Sequence, residues 1–186
     1  KAGADLMAAA YYETYGLPIA ITRSSSNFGP FQFPEKLIPL VIERCRARQH
    51  VPMYGDGHQV RDWLYVEDHC SALDVVLERG LPGQVYNIGG GSEHSNLEVV
   101  SAVLAKLKAN EALIEHVADR DRHDRRLALD NGKVSALGWR PSRTLDQGLD
   151  QTIAWYAANP EWLRQVTSGA YREYFRLYHS QRRSSS

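Results

Sequence analysis

Cysteine is nearly absent. Two occur in 186 residues, Cys45 and Cys70, and they do not have Cys-x-x-Cys spacing. That excludes a disulfide framework and a cysteine-built zinc site, so both are read as small core residues in a reducing compartment. Seven histidines are scattered without zinc-like pairing. No apolar run is long enough to cross a bilayer. Neither sign of charge is in excess, with 22 Lys plus Arg against 22 Asp plus Glu. Charge therefore gives no ground for a nucleic-acid or membrane partner, and neither is expected. There is no internal repeat. A glycine-rich dinucleotide turn is also missing, because Gly89-Gly90-Gly91 runs into a helix cap with the wrong spacing for one. The first residue is lysine rather than methionine, and the expectation is a processed chain or a piece of a longer protein.

What is present alternates between strand and helix. Residues 2–15 are alanine-rich and read as a helix closed by Gly16. Residues 17–22 form a short branched apolar run, expected as a strand covered on both faces. A helix is expected over 36–48, with Pro39 tolerated near its start. Strands follow at 51–54 and 61–66, then a helix over 67–79 stopped by Gly80, then a strand at 84–88. Ser95-Asn-Leu-Glu98 is a capping box. The helix behind it carries Leu97, Val100, Val103, Leu104 and Leu107 as an apolar stripe. Residues 114–117 and 126–129 read as short strands and 131–137 as a short helix. Thr144 to Gln147 caps a last helix with Leu145, Leu149, Ile153 and Tyr156 on one face, which Asn159-Pro160 should end. The tail 179–186 is expected to be disordered. The class is α/β.

The most informative stretch is residues 54–68. Gly55-Asp56-Gly57 is turn chemistry. Arg61 comes four residues later, and Asp62 to Val66 are aromatic and branched enough for a strand. Glu67 and Asp68 suit the positive end of a helix dipole. One arginine is thereby fixed between a turn and a strand. Its planar fork either meets an oxyanion such as a diphosphate or pairs with Asp62 in an ordinary hairpin.

This segment resembles the signature of nucleotide-sugar-modifying enzymes of the extended short-chain dehydrogenase/reductase family, the dTDP-glucose 4,6-dehydratases among them. Four further stretches agree, in the family's order. They are Asn27-Phe-Gly-Pro30 with Phe33 to Pro39, Tyr86-Asn-Ile-Gly-Gly90, Asp119 to Arg126, and Leu137-Gly-Trp-Arg-Pro141. The resemblance implies a carboxy-terminal piece of such an enzyme. Residues 1–34, with a strand at 84–92, would belong to a Rossmann-type NAD-binding domain. Residues 35–178 would mainly form a smaller nucleotide-sugar-binding α/β domain. It also implies NAD as cofactor, a dTDP-sugar as substrate, a homodimer of the full-length protein with helix 2–15 at its interface, and a cytoplasmic setting.

The implied roles fall residue by residue. Lys1 matches the lysine of a Tyr-x-x-x-Lys pair, which binds the nicotinamide ribose and lowers the tyrosine pKa; that tyrosine would lie four residues upstream. Asn27 faces cofactor and substrate, and Ser26 stands where the family has a first asparagine. Lys36 and Leu37 lie at the nucleotide base, opposite Pro52 and Tyr54. Arg61, Asn96 and Arg120 hold the diphosphate, with His123 beside them, and Tyr171 closes over the nucleotide. In the family pattern Pro-Gly occupies the place of Asp121-Arg122. The reaction so implied oxidises the sugar at carbon 4, eliminates water across carbons 5 and 6, and returns the hydride to carbon 6. Without the resemblance these residues read blandly, as a terminal lysine, a polar loop, helix-start and cap residues, a solvated charge run and a tail aromatic. Two alternatives stay open: another epimerase, dehydratase or decarboxylase of the same superfamily, and a non-catalytic nucleotide-sugar-binding module.

Overall fold

A computed structural model describes residues 1–119 and 121–167. The expected site residues Arg120 and Tyr171, and the tail 179–186, lie outside the described residues. Helix α1 (Ala2–Tyr15) ends at Gly16, whose φ of 67° is the left-handed stop expected there. None of its residues is buried. Strand β1 is Ile21–Ser24 and pairs in parallel with β5 (Val85–Ile88), Ile21 opposite Val85. This corrects the expected strand at 17–22 in place and in burial, since the observed strand is half exposed. Pro18 has no N–H to give a ladder. The pairing instead begins where the Ile21 N–H donates to the Gln84 carbonyl, 2.9 Å away.

The central element is β4 (Val60–Tyr65), which three strands flank. Its second half pairs in parallel with β2 (Ser26–Phe28), Asn27 opposite Leu64. Its first half pairs antiparallel with β6 (Glu93–Ser95) and in parallel with β8 (Arg126–Leu127). A separate parallel pair joins β3 (Val51–Tyr54) to β7 (Ile114–Val117). The helices are α2 (Leu37–Arg46), α3 (Val66–Arg79), α4 (Asn96–Lys106), α5 (Gly132–Ala136), α6 (Leu145–Ala158) and α7 (Pro160–Val166). Both capping boxes form, Ser95 with Glu98 and Thr144 with Gln147. Pro160 ends α6 as expected but also opens α7, because a proline at the first helical position loses no hydrogen bond.

Two hydrophobic clusters form, one on each face of β4. Trp63 and Tyr65 join Phe28, Ile42, Val103, Leu149 and Tyr156 in the larger. Leu64 points the other way, to Val76, Tyr86, Ile88 and Trp139. This is the period-2 alternation of a strand buried on both faces. Cys45 is partly buried beside the larger cluster, but Cys70 is exposed on α3, against the expectation of a core residue. Its helix turns Ala72 and Val76 inward instead. No described helix is long and apolar enough to cross a membrane.

Candidate functional site

Arg61 and Asp62 are not partners. Adjacent strand residues point to opposite faces, and each has its own task. The Asp62 carboxylate is 1 % exposed and accepts hydrogen bonds from the Gly90 and Ser92 N–H groups, at 3.1 and 2.9 Å. It thereby pins the glycine turn that follows β5. That turn must be glycine, because a Cβ on Gly90 would lie 1.9 Å from the Trp63 carbonyl oxygen. Asn131 holds the same turn from outside, exchanging two hydrogen bonds with the Gly89 backbone at 2.6 and 2.7 Å.

On the other face, one Arg61 nitrogen donates to the carbonyls of Val60 and Asp124, at 2.7 and 3.0 Å. The fork is thus pre-oriented by backbone, and it lines a cavity of about 860 Å³. Ser26 and Asn27 of β2 and Asn96 at the start of α4 reach the same cavity. So do Lys36 and Leu37 at the start of α2, Pro52 and Tyr54 of β3, and His123. Pro52 and Tyr54 share one face of β3, while Val51 and Met53 go into the core from the other. Of the residues expected at the site, only Lys1 is described and stays apart. It is exposed at the head of α1 and does not line the cavity.

His123 is oriented by a chain of contacts. Its Nδ1 lies 2.7 Å from Asp119, whose other oxygen accepts from the Gln59 amide at 3.0 Å. The segment carrying it is latched by two exposed ion pairs, the first through one arginine nitrogen shared between both carboxylate oxygens and the second bidentate. Arg125 holds Asp56, and Arg126 holds Glu93. The His58 N–H and Arg125 hold Asp56 below its ordinary pKa, and Arg126 does the same to Glu93. Glu98 is lowered by its hydrogen bonds from Ser95. Folding therefore favours the charged form of each. Their support is complete above the ordinary values of 3.8 and 4.5 and is lost as pH falls through the lowered ones. On acidification below those ordinary values, the 123–127 segment is expected to loosen before the core melts. Backbone NMR shifts at Arg125 and Arg126 should move ahead of the near-ultraviolet dichroism. Simultaneous change would refute the latch.

The sequence reading missed Gln32, Glu35, Ile38, Leu40 and Trp63, which also line the cavity. Trp63 was within reach, since it lies two residues beyond Arg61 on one strand and so shares its face. Leu40 lies three residues beyond Leu37 on α2, a helical neighbour. Gln32 had no signal. The side-chain oxygens of Asn27 and Gln32 are buried without a hydrogen-bond partner, as is the Ser25 hydroxyl. A second cavity of about 530 Å³ lies between the glycine turn, α4 and the start of α6, and holds none of the expected residues. Its Glu98 is taken by Ser95, and its Arg143 by Glu67 and Asp68. Among the described residues no group of acidic, histidine or cysteine side chains could hold a metal.

A family model described as GDP-mannose 4,6 dehydratase matches residues 1–152. A dTDP-glucose 4,6-dehydratase of Xanthomonas campestris pv. campestris is 48 % identical over 182 residues, covering 92 % of this chain and 52 % of that protein. Two solved structures are similar. One is a dTDP-glucose 4,6-dehydratase of Bacillus anthracis in complex with NAD, 49 % identical with a TM-score of 0.85. The other is the dTDP-glucose 4,6-dehydratase DesIV of Streptomyces venezuelae with NAD and TYD bound, 44 % identical with a TM-score of 0.87. Each is covered over 90 % of this chain, and over 53 % and 52 % of its own length. The chain thus spans about half the length of these relatives.

Proposed function

The chain belongs to the GDP-mannose 4,6 dehydratase family, and from that premise we propose that its large cavity binds the nucleotide-sugar of a dTDP-glucose 4,6-dehydratase. One observation carries the reading. Nine residues picked from motif resemblance converge from separate elements on a single cavity. In it Arg61 and His123 meet the diphosphate, Asn96 adds a neutral amide, and Leu37, Pro52 and Tyr54 form the half-apolar wall for the base. Their contribution is orientation more than chemistry. Residues 1–34 with 84–92 then form the cofactor-side part, and 35–178 the substrate-side part. A homodimer through α1, whose Leu6, Met7 and Tyr11 are exposed, and a cytoplasmic setting belong to the same reading.

The proposed reaction uses NAD, which takes and returns a hydride when bound. The residues present fit only part of that cofactor. The unpartnered oxygens of Ser25, just after β1, and of Asn27 on β2 offer acceptors, and Lys1 heads α1. The 186 residues contain no Gly-x-Gly-x-x-Gly for its pyrophosphate and no Tyr-x-x-x-Lys. The polypeptide by itself is therefore expected to bind the nucleotide and to turn nothing over. Calorimetry with dTDP, UDP and GDP tests the first part, and dTDP should bind most tightly. Incubation with dTDP-glucose and NAD tests the second. Formation of a 4-keto-6-deoxy sugar by the purified 186-residue chain would overturn it.

A further inference from the structure

Phe31, Arg48, Lys108 and Arg122 are the non-glycine residues with left-handed backbone among those described. Arg48 and Lys108 directly follow the caps of α2 and α4, where helices commonly end in that conformation. Phe31 has no such reason, and a bulky aromatic at φ 62° is a true outlier. It sits beside the cavity-lining Gln32. Although 66 % exposed, its ring lies on Trp155 with centroids 4.5 Å apart and meets Trp162 edge-on at 5.8 Å.

Gln32 is held on two sides. Its backbone carbonyl accepts from the Tyr156 hydroxyl. Its side-chain nitrogen donates to the Asn27 carbonyl at 2.7 Å. That donation fixes which way the amide lies, because the reversed amide would set two acceptors against each other. Asn27 in turn sits on β2, opposite Leu64 of the central strand, and lines the same cavity.

We propose that Gln32 is a positioning residue for Asn27 in the ligand cavity, and that Phe31, Trp155 and Tyr156 hold it there. The left-handed turn at Phe31 sends the ring outward onto α6 and Gln32 inward to the β2 backbone. Helix α6 thereby sets the shape of a site it does not line. What fills the cavity rests on the function proposed above.

Titration of dTDP into the 186-residue chain and its variants tests this. Glycine suits φ 62° better than phenylalanine. A Phe31 that merely fills a turn would therefore leave Phe31→Gly as stable as the parent, with unchanged affinity. The positioning set requires instead that Phe31→Gly bind dTDP about tenfold more weakly with little change in melting temperature. Phe31→Tyr, which keeps the ring on Trp155, should stay within about twofold of the parent. Tyr156→Phe removes only the hydroxyl and should weaken binding about fivefold. Parent-like affinity in both Phe31→Gly and Tyr156→Phe overturns the positioning role and leaves the proposed function standing. No dTDP binding by the unaltered chain overturns both.

Discussion

An Arg61→Ala chain should bind dTDP about 10- to 150-fold more weakly than the unaltered chain. That is the range of 1.5–3 kcal/mol for hydrogen bonds to a charged group, at roughly 1.4 kcal/mol per factor of ten. Two features place the effect at the high end. The guanidinium is already tied to the carbonyls of Val60 and Asp124, so little side-chain entropy remains to be lost on binding. Its fork would also offer a diphosphate parallel donors, which an ammonium cannot copy. Arg61→Lys should therefore recover only part of the loss. The melting temperature should barely move, because the side chain is only partly buried and belongs to neither hydrophobic cluster. Calorimetry showing equal affinity in the folded alanine variant would remove Arg61 from the site.

One position along the strand, the effect should move from affinity to stability. Asp62→Ala leaves the N–H groups of Gly90 and Ser92 without their acceptor, in a turn too close to β4 to relax. Each part-buried donor so stranded costs toward the lower end of about 1–3 kcal/mol, which gives a loss of about 3 kcal/mol in total. For a chain of this size that corresponds to a fall of roughly 6–12 °C in melting temperature. Asp62→Asn keeps one acceptor oxygen and should lose less. A thermal melt of the alanine variant matching that of the parent would show that the turn holds without the carboxylate.

These neighbouring residues also show how far the fold was legible. Strand alternation separates Arg61 from Asp62, yet nothing local indicates which of them meets a ligand. The reading of 54–68 located β4 and α3 because turn glycines, branched residues and helix-start acids all agree there. The capping boxes at Ser95 and Thr144 were equally clear, since their chemistry lies within four residues. β2 and β6 were not anticipated. Each is three residues long and is a strand only because β4 lies beside it. The shift of β1 has the same origin, in a partner strand 64 positions away at the Ile21–Val85 pair (85 − 21). Nine of the residues that line the cavity were legible through resemblance. Gln32 was not, because its role depends on Tyr156, which lies 124 positions further along the chain.

The two faces of β4 have a consequence for how the molecule comes apart. Trp63 and Tyr65 belong to one hydrophobic cluster and Leu64, between them, to the other. Opening either cluster uncovers a face of the same strand, so neither core can melt without weakening its neighbour. The two halves are therefore linked in one cooperative unit rather than behaving as independent foldons. Deuterium would enter the amides of residues 63–65 last, at a rate set by global unfolding, whereas the backbone of α1, with no buried residue, would exchange through local fraying.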